Sequence, residues 1–164
     1  MNGSSPFWGT MKIYDFDEQL VEGQEAEAFL DIVFSKYIYV EEVSMYYQRK
    51  GIDRMFTDGE KIIAVEYKAD RKASMTGNAS IETTSVSSTG EPGWARKTQA
   101  DWIVYFLPQE MVAYLIPAKE MKARLSKWLN TYRIGKAYNQ GYFSTGVLVP
   151  IDEIASFSKK ISCL

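Results

Sequence analysis

The stretch GIDRMFTDGEKIIAVEYKAD, Gly51 to Asp70, carries charge where an apolar hairpin is otherwise expected. Asp53 precedes one short strand-like run, and Glu66 and Lys68 stand two apart in the next. Asp58-Gly59 between the runs is a strong short hairpin signal. Side chains alternate along a strand, so Ile62, Ala64, Glu66 and Lys68 share one face while Ile63, Val65 and Tyr67 share the other. Centring the turn on Asp58-Gly59 sets Asp53 opposite Ala64. Asp53 is then a diagonal neighbour of Glu66 on the same face, with Cβ atoms roughly 7–8 Å apart. Two carboxylates at that separation can grip one divalent cation, and Lys68 beside them can touch a water or phosphate that the cation holds. The plainer reading makes Asp53 the end of a strand and Glu66 and Lys68 a solvated surface pair. Spacing alone leaves both open.

Composition narrows the chemistry. The 164 residues include no histidine. That excludes Ser-His-Asp and Cys-His catalysis, the HExxH zinc site and any nuclease with a histidine base. One cysteine, Cys163, allows neither an internal disulfide nor a thiolate zinc cluster. A metal would therefore be held by oxygens, which points to magnesium or manganese. A net charge of −2 gives no global footprint for nucleic acid. A metal-dependent nuclease nevertheless concentrates carboxylates at its site and can set lysines around it. Hydrophobic residues at 46% and charged residues at 24% are ordinary globular composition. The length suits one domain over 1–164. With no run of eighteen apolar residues, no membrane span is expected. The first residues lack a basic segment followed by an apolar one, so no secretory signal is expected and the setting is read as reducing and cytoplasmic.

These residues need elements to position them. Residues 1–15 read as a loop or extended arm. From Asp17 to Lys36 the spacing of Ala26, Phe29, Leu30, Val33 and Tyr37 predicts a helix. Tyr37 to Gln48 reads as a strand, followed by the charged hairpin. Asp70 to Gly93, rich in Ser, Thr, Gly and Asn, reads as mobile loops around a short strand, Ser80 to Val86. DWIVYFLP and MVAYLIPA read as two strands ended by Pro108 and Pro117. Lys119 to Tyr132 is an amphipathic helix with Met121, Leu125, Trp128 and Leu129 on its apolar face. GVLVP is a last strand, and Pro150-Ile-Asp-Glu opens a short helix. The order predicts an α/β fold with a mixed central sheet flanked by helices.

GID on one strand, a turn, and AVEYK on the next resemble the motif of the PD-(D/E)XK nuclease superfamily. Its members include restriction endonucleases, archaeal-type Holliday junction resolvases and several repair and phage nucleases. Ile52 stands where that motif often has proline or a small residue, as in the resolvase-like branch. The preceding helix resembles the first helix of that branch, where a glycine is followed four residues later by a glutamate; Gly23 and Glu27 match. The resemblance covers residues 23–70, and the rest of the chain follows it only in the order of strands and helices.

The resemblance implies a restriction endonuclease-like core and Mg²⁺- or Mn²⁺-dependent hydrolysis of phosphodiester bonds in DNA. Asp53 and Glu66 would bind the ion with the backbone carbonyl of Tyr67, and Glu27 would act through water or hold a second ion. Lys68 would orient or deprotonate the attacking water, or neutralise charge on the phosphate. On a helical wheel Glu25 and Glu27 lie about 100° to either side of the apolar stripe. Glu22 is nearer the stripe but precedes Gly23. Periodicity leaves all three open, and the resemblance selects Glu27. It also implies a Lys, Arg or Gln supplied near the site from a helix after the motif, for which Lys97 and Gln99 are candidates.

Arg71 and Lys72 could meet the phosphate backbone or belong to a solvated charge run. Glu82 could be a further acid of the site or a strand-edge charge. Lys119, Lys122, Arg124 and Lys127 mark the polar side of the later helix, and Tyr46, Tyr47, Trp94 and Tyr142 could stack on bases or belong to the core. The expected partner is DNA, bound mainly through its backbone, with a homodimer cutting two strands in a resolvase-like or restriction/repair-like manner in a prokaryote or phage. The alternative is a catalytically silent domain of the same type, serving as a DNA- or protein-binding module.

Overall fold

The computed structural model describes residues 16–164; the arm expected over residues 1–15 lies outside them. Helix α1 (Phe16–Ser35) leads into strand β1 (Tyr39–Glu42) and a helical turn, α2 (Met45–Gln48). Strands β2 (Arg54–Asp58) and β3 (Lys61–Ala69) form the charged hairpin. A turn, α3 (Ala73–Thr76), precedes β4 (Asn78–Val86), β5 (Glu91–Pro92) and the turn α4 (Trp94–Lys97). Strands β6 (Trp102–Leu107) and β7 (Val112–Pro117) lead to helix α5 (Ala118–Thr131). The chain ends through β8 (Ile134–Asn139), β9 (Tyr142–Pro150), α6 (Ile151–Ala155) and β10 (Lys159–Ser162).

The fold is mixed α/β. The central sheet has strand order β1-β2-β3-β6-β7-β10, with β3 and β6 parallel and the other neighbours antiparallel. On one face, Leu30, Val33 and Phe34 of α1 pack on Phe56, Val65, Tyr67, Val104 and Phe106. On the other, Ile103, Tyr105, Leu107 and Ile116 meet Met121, Leu125 and Trp128 of α5 together with Ile81, Val147 and Val149. β6 feeds both cores from alternate positions, which is why its sequence is apolar throughout. The apolar face expected of α5 is the one buried, with Leu129 partly covered.

The expected mixed central sheet is present, and a second antiparallel sheet, β5-β4-β9-β8, which the sequence did not show, stands beside it. The segment from Asp70 to Gly93, read as loops around a short strand over Ser80 to Val86, holds a nine-residue strand, one helical turn and the two-residue β5, with a second helical turn just past it. β8 and β10 carry too few apolar residues to show in the sequence, and the last strand read as GVLVP is the second half of β9. The expected strand Tyr37–Gln48 is also shortened. β1 pairs only with β2, and the ladder ends where Glu42 meets Arg54, the first residue of β2. Beyond it the chain closes a helical turn, with the Tyr47 and Gln48 amides donating to the Ser44 carbonyl at 3.1 Å. Tyr37 lies past the end of α1 and is 82% exposed, and Phe34 fills the stripe in its place.

Candidate active site

β3 lies between β2 and β6 in the middle of the central sheet, so side chains near its C-terminal half are covered from both sides. The hairpin register differs from expectation. Asp58 pairs with Lys61 and Met55 with Ala64, so the tight turn is Gly59-Glu60, with Gly59 at φ +61°, where a side chain would strain the backbone. Asp53 therefore lies beside Glu66 rather than opposite Ala64. A shift of two residues keeps the same face, so the carboxylates stay together. At this end the ladder is irregular: the Asp53 amide donates to the Val65 carbonyl at 2.8 Å, and the Tyr67 amide donates to Asp53 Oδ2 at 2.8 Å.

Glu66 answers whether the charges are solvated. The residue is 5% exposed, so the surface-pair reading fails for it. Burial raises its carboxyl above the ordinary range, Lys68 and the Thr98 side chain oppose that shift, and Asp53 adds to it. One oxygen, Oε1, lies 3.3 Å from Lys68 Nζ, while Oε2 is buried with no hydrogen-bond partner. The Lys68 ammonium also lies 5.4 Å from the centroid of the Trp94 ring.

From α1, Glu27 comes to the same place. Burial raises its carboxyl, and so does Asp53, while Arg54 and Lys68 lower it. Of the three candidates on α1, Glu27 is the one in the field of Asp53 and Lys68. Glu22 instead pairs with Arg71 at 3.5 Å, and Glu25 is exposed. The sequence reading missed two neighbours. Arg54 is 7% exposed and grips Asp31 through Nε and Nη2 at 2.9–3.1 Å, with Glu27 Oε1 at 3.3 Å from Nη1. The Tyr67 hydroxyl donates to Asp31 Oδ1 at 2.9 Å. Burial pushes that phenol far up, and Asp31 adds to the shift. The signal was present: Arg54 shares strand parity with the core residue Phe56, and Glu27 and Asp31 stand one helical turn apart.

A cleft of about 190 Å³ opens beside Glu66 and Lys68, its walls including Gln48, Glu82, Trp94 and Lys97. Glu82 is half-buried rather than a strand-edge charge. Its Oε1 accepts from the Trp94 amide at 3.2 Å, and burial raises its carboxyl against the opposing pull of that bond and of Lys68. Gly93 makes this contact possible, since a Cβ there would sit 2.5 Å from the Glu82 carbonyl oxygen. Lys97 lines the cleft from a four-residue turn. Gln99 lies past that turn and is exposed, its amide bonded to the Lys50 carbonyl at 2.8 Å. Arg71 and Lys72 are exposed just beyond β3. Tyr46 and Tyr47 are exposed and stack edge to face, and Tyr142 is 37% exposed, so none of these three is core.

The residues present suit a hard divalent cation. The donors are all oxygens, and a buried carboxylate oxygen without a partner has lost its water without gaining a bond. Among the described residues no group of three or more acidic, histidine or cysteine side chains is placed so that it could hold a metal ion. Magnesium does not demand such a group, since it keeps several waters and is commonly bound by one or two carboxylates.

The fold has a counterpart among solved structures. Over 85% of this chain and 87% of the other, it is similar to the solved structure of a bacterial homing endonuclease, I-Ssp6803I, with a TM-score of 0.53 and 14% sequence identity. No protein-family model and no curated protein matches the sequence. Among the described residues no helix is long and apolar enough to cross a membrane.

Proposed function

We propose that the protein is a divalent-metal-dependent deoxyribonuclease of the PD-(D/E)XK type that hydrolyses phosphodiester bonds. The observation that carries this reading is Glu66 Oε2, buried without a partner beside Asp53 and Lys68 in the wall of a cleft. Asp53 and Glu66 would hold Mg²⁺ or Mn²⁺ with the Tyr67 carbonyl, and Glu27 would act through water. The ion, when bound, lowers the pKa of water and stabilises charge on the phosphate. The similar fold of a homing endonuclease supports a nuclease-type function.

The chain's own residues supply the rest. Lys68, steadied between the Glu66 carboxylate and the Trp94 ring, presents an ammonium at the cleft. There it orients the attacking water or neutralises charge building on the phosphate. Lys97 on the cleft wall would hold the nucleic acid backbone, with Arg71, Lys72 and Gln99 along its path. Two strands would be cut by a homodimer, in a resolvase-like or restriction/repair-like manner.

The test incubates the protein with supercoiled, linear and branched DNA in Mg²⁺, Mn²⁺ or chelator. Metal-dependent cleavage, lost in Asp53→Ala and Lys68→Ala, is expected. No cleavage of any substrate, with no Mn²⁺ binding by calorimetry, overturns the reading. DNA binding without cleavage would instead indicate a silent binding module.

A further inference from the structure

The geometry points to Arg54 as a positioning residue for the carboxylates Asp53 and Glu27, acting through a clamp closed by Asp31 and Tyr67. The inference rests on the nuclease reading only for what the clamp serves; the clamp itself is a matter of geometry.

Arg54 faces the α1 side of the sheet, one residue after Asp53, and its guanidinium is almost fully covered. Each nitrogen has an assignment. Nη1 donates back to the Asp53 carbonyl at 2.8 Å and lies 3.3 Å from Glu27 Oε1. Nε and Nη2 take the two oxygens of Asp31. Glu42 adds a weaker contact from β1, 3.8 Å from Nη2. Asp31 Oδ1 then accepts the Tyr67 hydroxyl, and the Tyr67 amide donates to Asp53 Oδ2. The chain of contacts therefore runs from Asp53 through Arg54, Asp31 and Tyr67 and returns to Asp53. It holds that residue by its carbonyl at one end and its carboxylate at the other.

A solvated ion pair would not need this arrangement. A planar guanidinium that is always charged can serve a carboxylate, a second carboxylate and a carbonyl at fixed angles. A buried cation among acids is also what lets Glu27 approach Asp53 before any other cation arrives. Partners that orient binding groups from behind are commonly worth 10- to 100-fold in metal affinity or activity. Arg54 meets the site through the Asp53 carbonyl and the Glu27 carboxylate, so its influence passes through Asp53 and Glu27.

The Tyr67 amide is a direct reporter, because its hydrogen bond exists only while the Asp53 carboxylate is in place. Arg54→Lys keeps the charge and removes the fork; Asp31→Asn keeps Arg54 and weakens its anchor. In metal-free protein, exchange of the Tyr67 amide is expected to speed up at least about tenfold in both variants. The amides of Val104 and Phe106 in the neighbouring strand should stay protected and thereby certify the fold. Mn²⁺ affinity by calorimetry should fall about tenfold, and DNA cleavage should lose kcat at unchanged KM. Folded variants with wild-type Tyr67 exchange and wild-type Mn²⁺ affinity overturn the clamp. A wild-type protein that neither binds Mn²⁺ nor cuts DNA refutes the nuclease reading instead, and the exchange measurement then decides the clamp alone.

Discussion

Glu66→Gln should make the metal-free protein more stable. The Glu66 carboxylate is 5% exposed, and one oxygen lacks any partner. Burying an ion in a protein costs several kcal/mol after relaxation, whereas a partly exposed ion pair such as that with Lys68 returns about 1 kcal/mol or less. A glutamine of the same shape keeps an acceptor for Lys68 but leaves an amide N–H₂ short of partners, at about 1 kcal/mol. The net gain is about 1–2 kcal/mol, or about 3–6 °C in Tm for a chain of this length. The pH dependence has a definite sign. A carboxyl whose folded pKa is raised favours the fold below its ordinary pKa and loses that contribution as pH rises through the raised value. Glu66, Glu27 and Glu82 are all shifted this way, by burial first. The advantage of Glu66→Gln is therefore absent in acid, where the carboxyl is neutral, and complete at alkaline pH. Metal should reverse the order. At an ion concentration a hundredfold above Kd the wild type gains about 2.7 kcal/mol, and the variant, lacking a ligand, gains less. Thermal unfolding in chelator and in Mn²⁺, from pH 4 to 9, checks each step. A variant less stable than wild type in chelator at alkaline pH, or equal metal stabilisation of both, would refute the reasoning.

Lys68→Ala should reduce DNA cleavage by about 10²–10⁴-fold with little change in Tm, the range for a group assisting proton transfer or phosphate charge, measured in single-turnover assays. Gly93→Ala puts a Cβ 2.5 Å from the Glu82 carbonyl oxygen, a backbone atom that cannot swing aside, so a destabilisation of about 1–3 kcal/mol is expected by denaturant titration. Tyr105→Phe removes the hydroxyl that donates to Asp70 and accepts the Ser80 amide at 3.1 Å. Because the acceptor is charged, about 1.5–3 kcal/mol should be lost, with local amide exchange rising first at Ser80.

What the sequence showed and what it hid divide along a physical line. That Asp53, Glu66 and Lys68 lie on one side of a hairpin was legible, because strand alternation is a local property of bond geometry. The register was not: a turn at Gly59-Glu60 in place of Asp58-Gly59 moves the pairing by two and leaves every side chain on its own face, so the apolar pattern is the same for both. The α1 stripe was legible to Val33, but choosing Glu27 over Glu22 and Glu25 by periodicity was not. The choice depends on which edge of the helix meets β2, and the interaction with Asp53 and Arg54 supplies that. Glu82 was ambiguous for the same reason, since its surroundings come from Trp94, twelve residues away, and from Lys68 on another sheet.

The sequence by itself determined the kinds of atoms available for chemistry: oxygens and amines, with no imidazole. It also determined the alternation that gathers them. The tertiary structure alone decided how much water they lose. Desolvation is set by every layer packed around a group, and those layers come from α1, β6, the second sheet and the turn at Trp94, all distant along the chain. That packing leaves Glu66 Oε2 without a partner and places Arg54 behind Asp53.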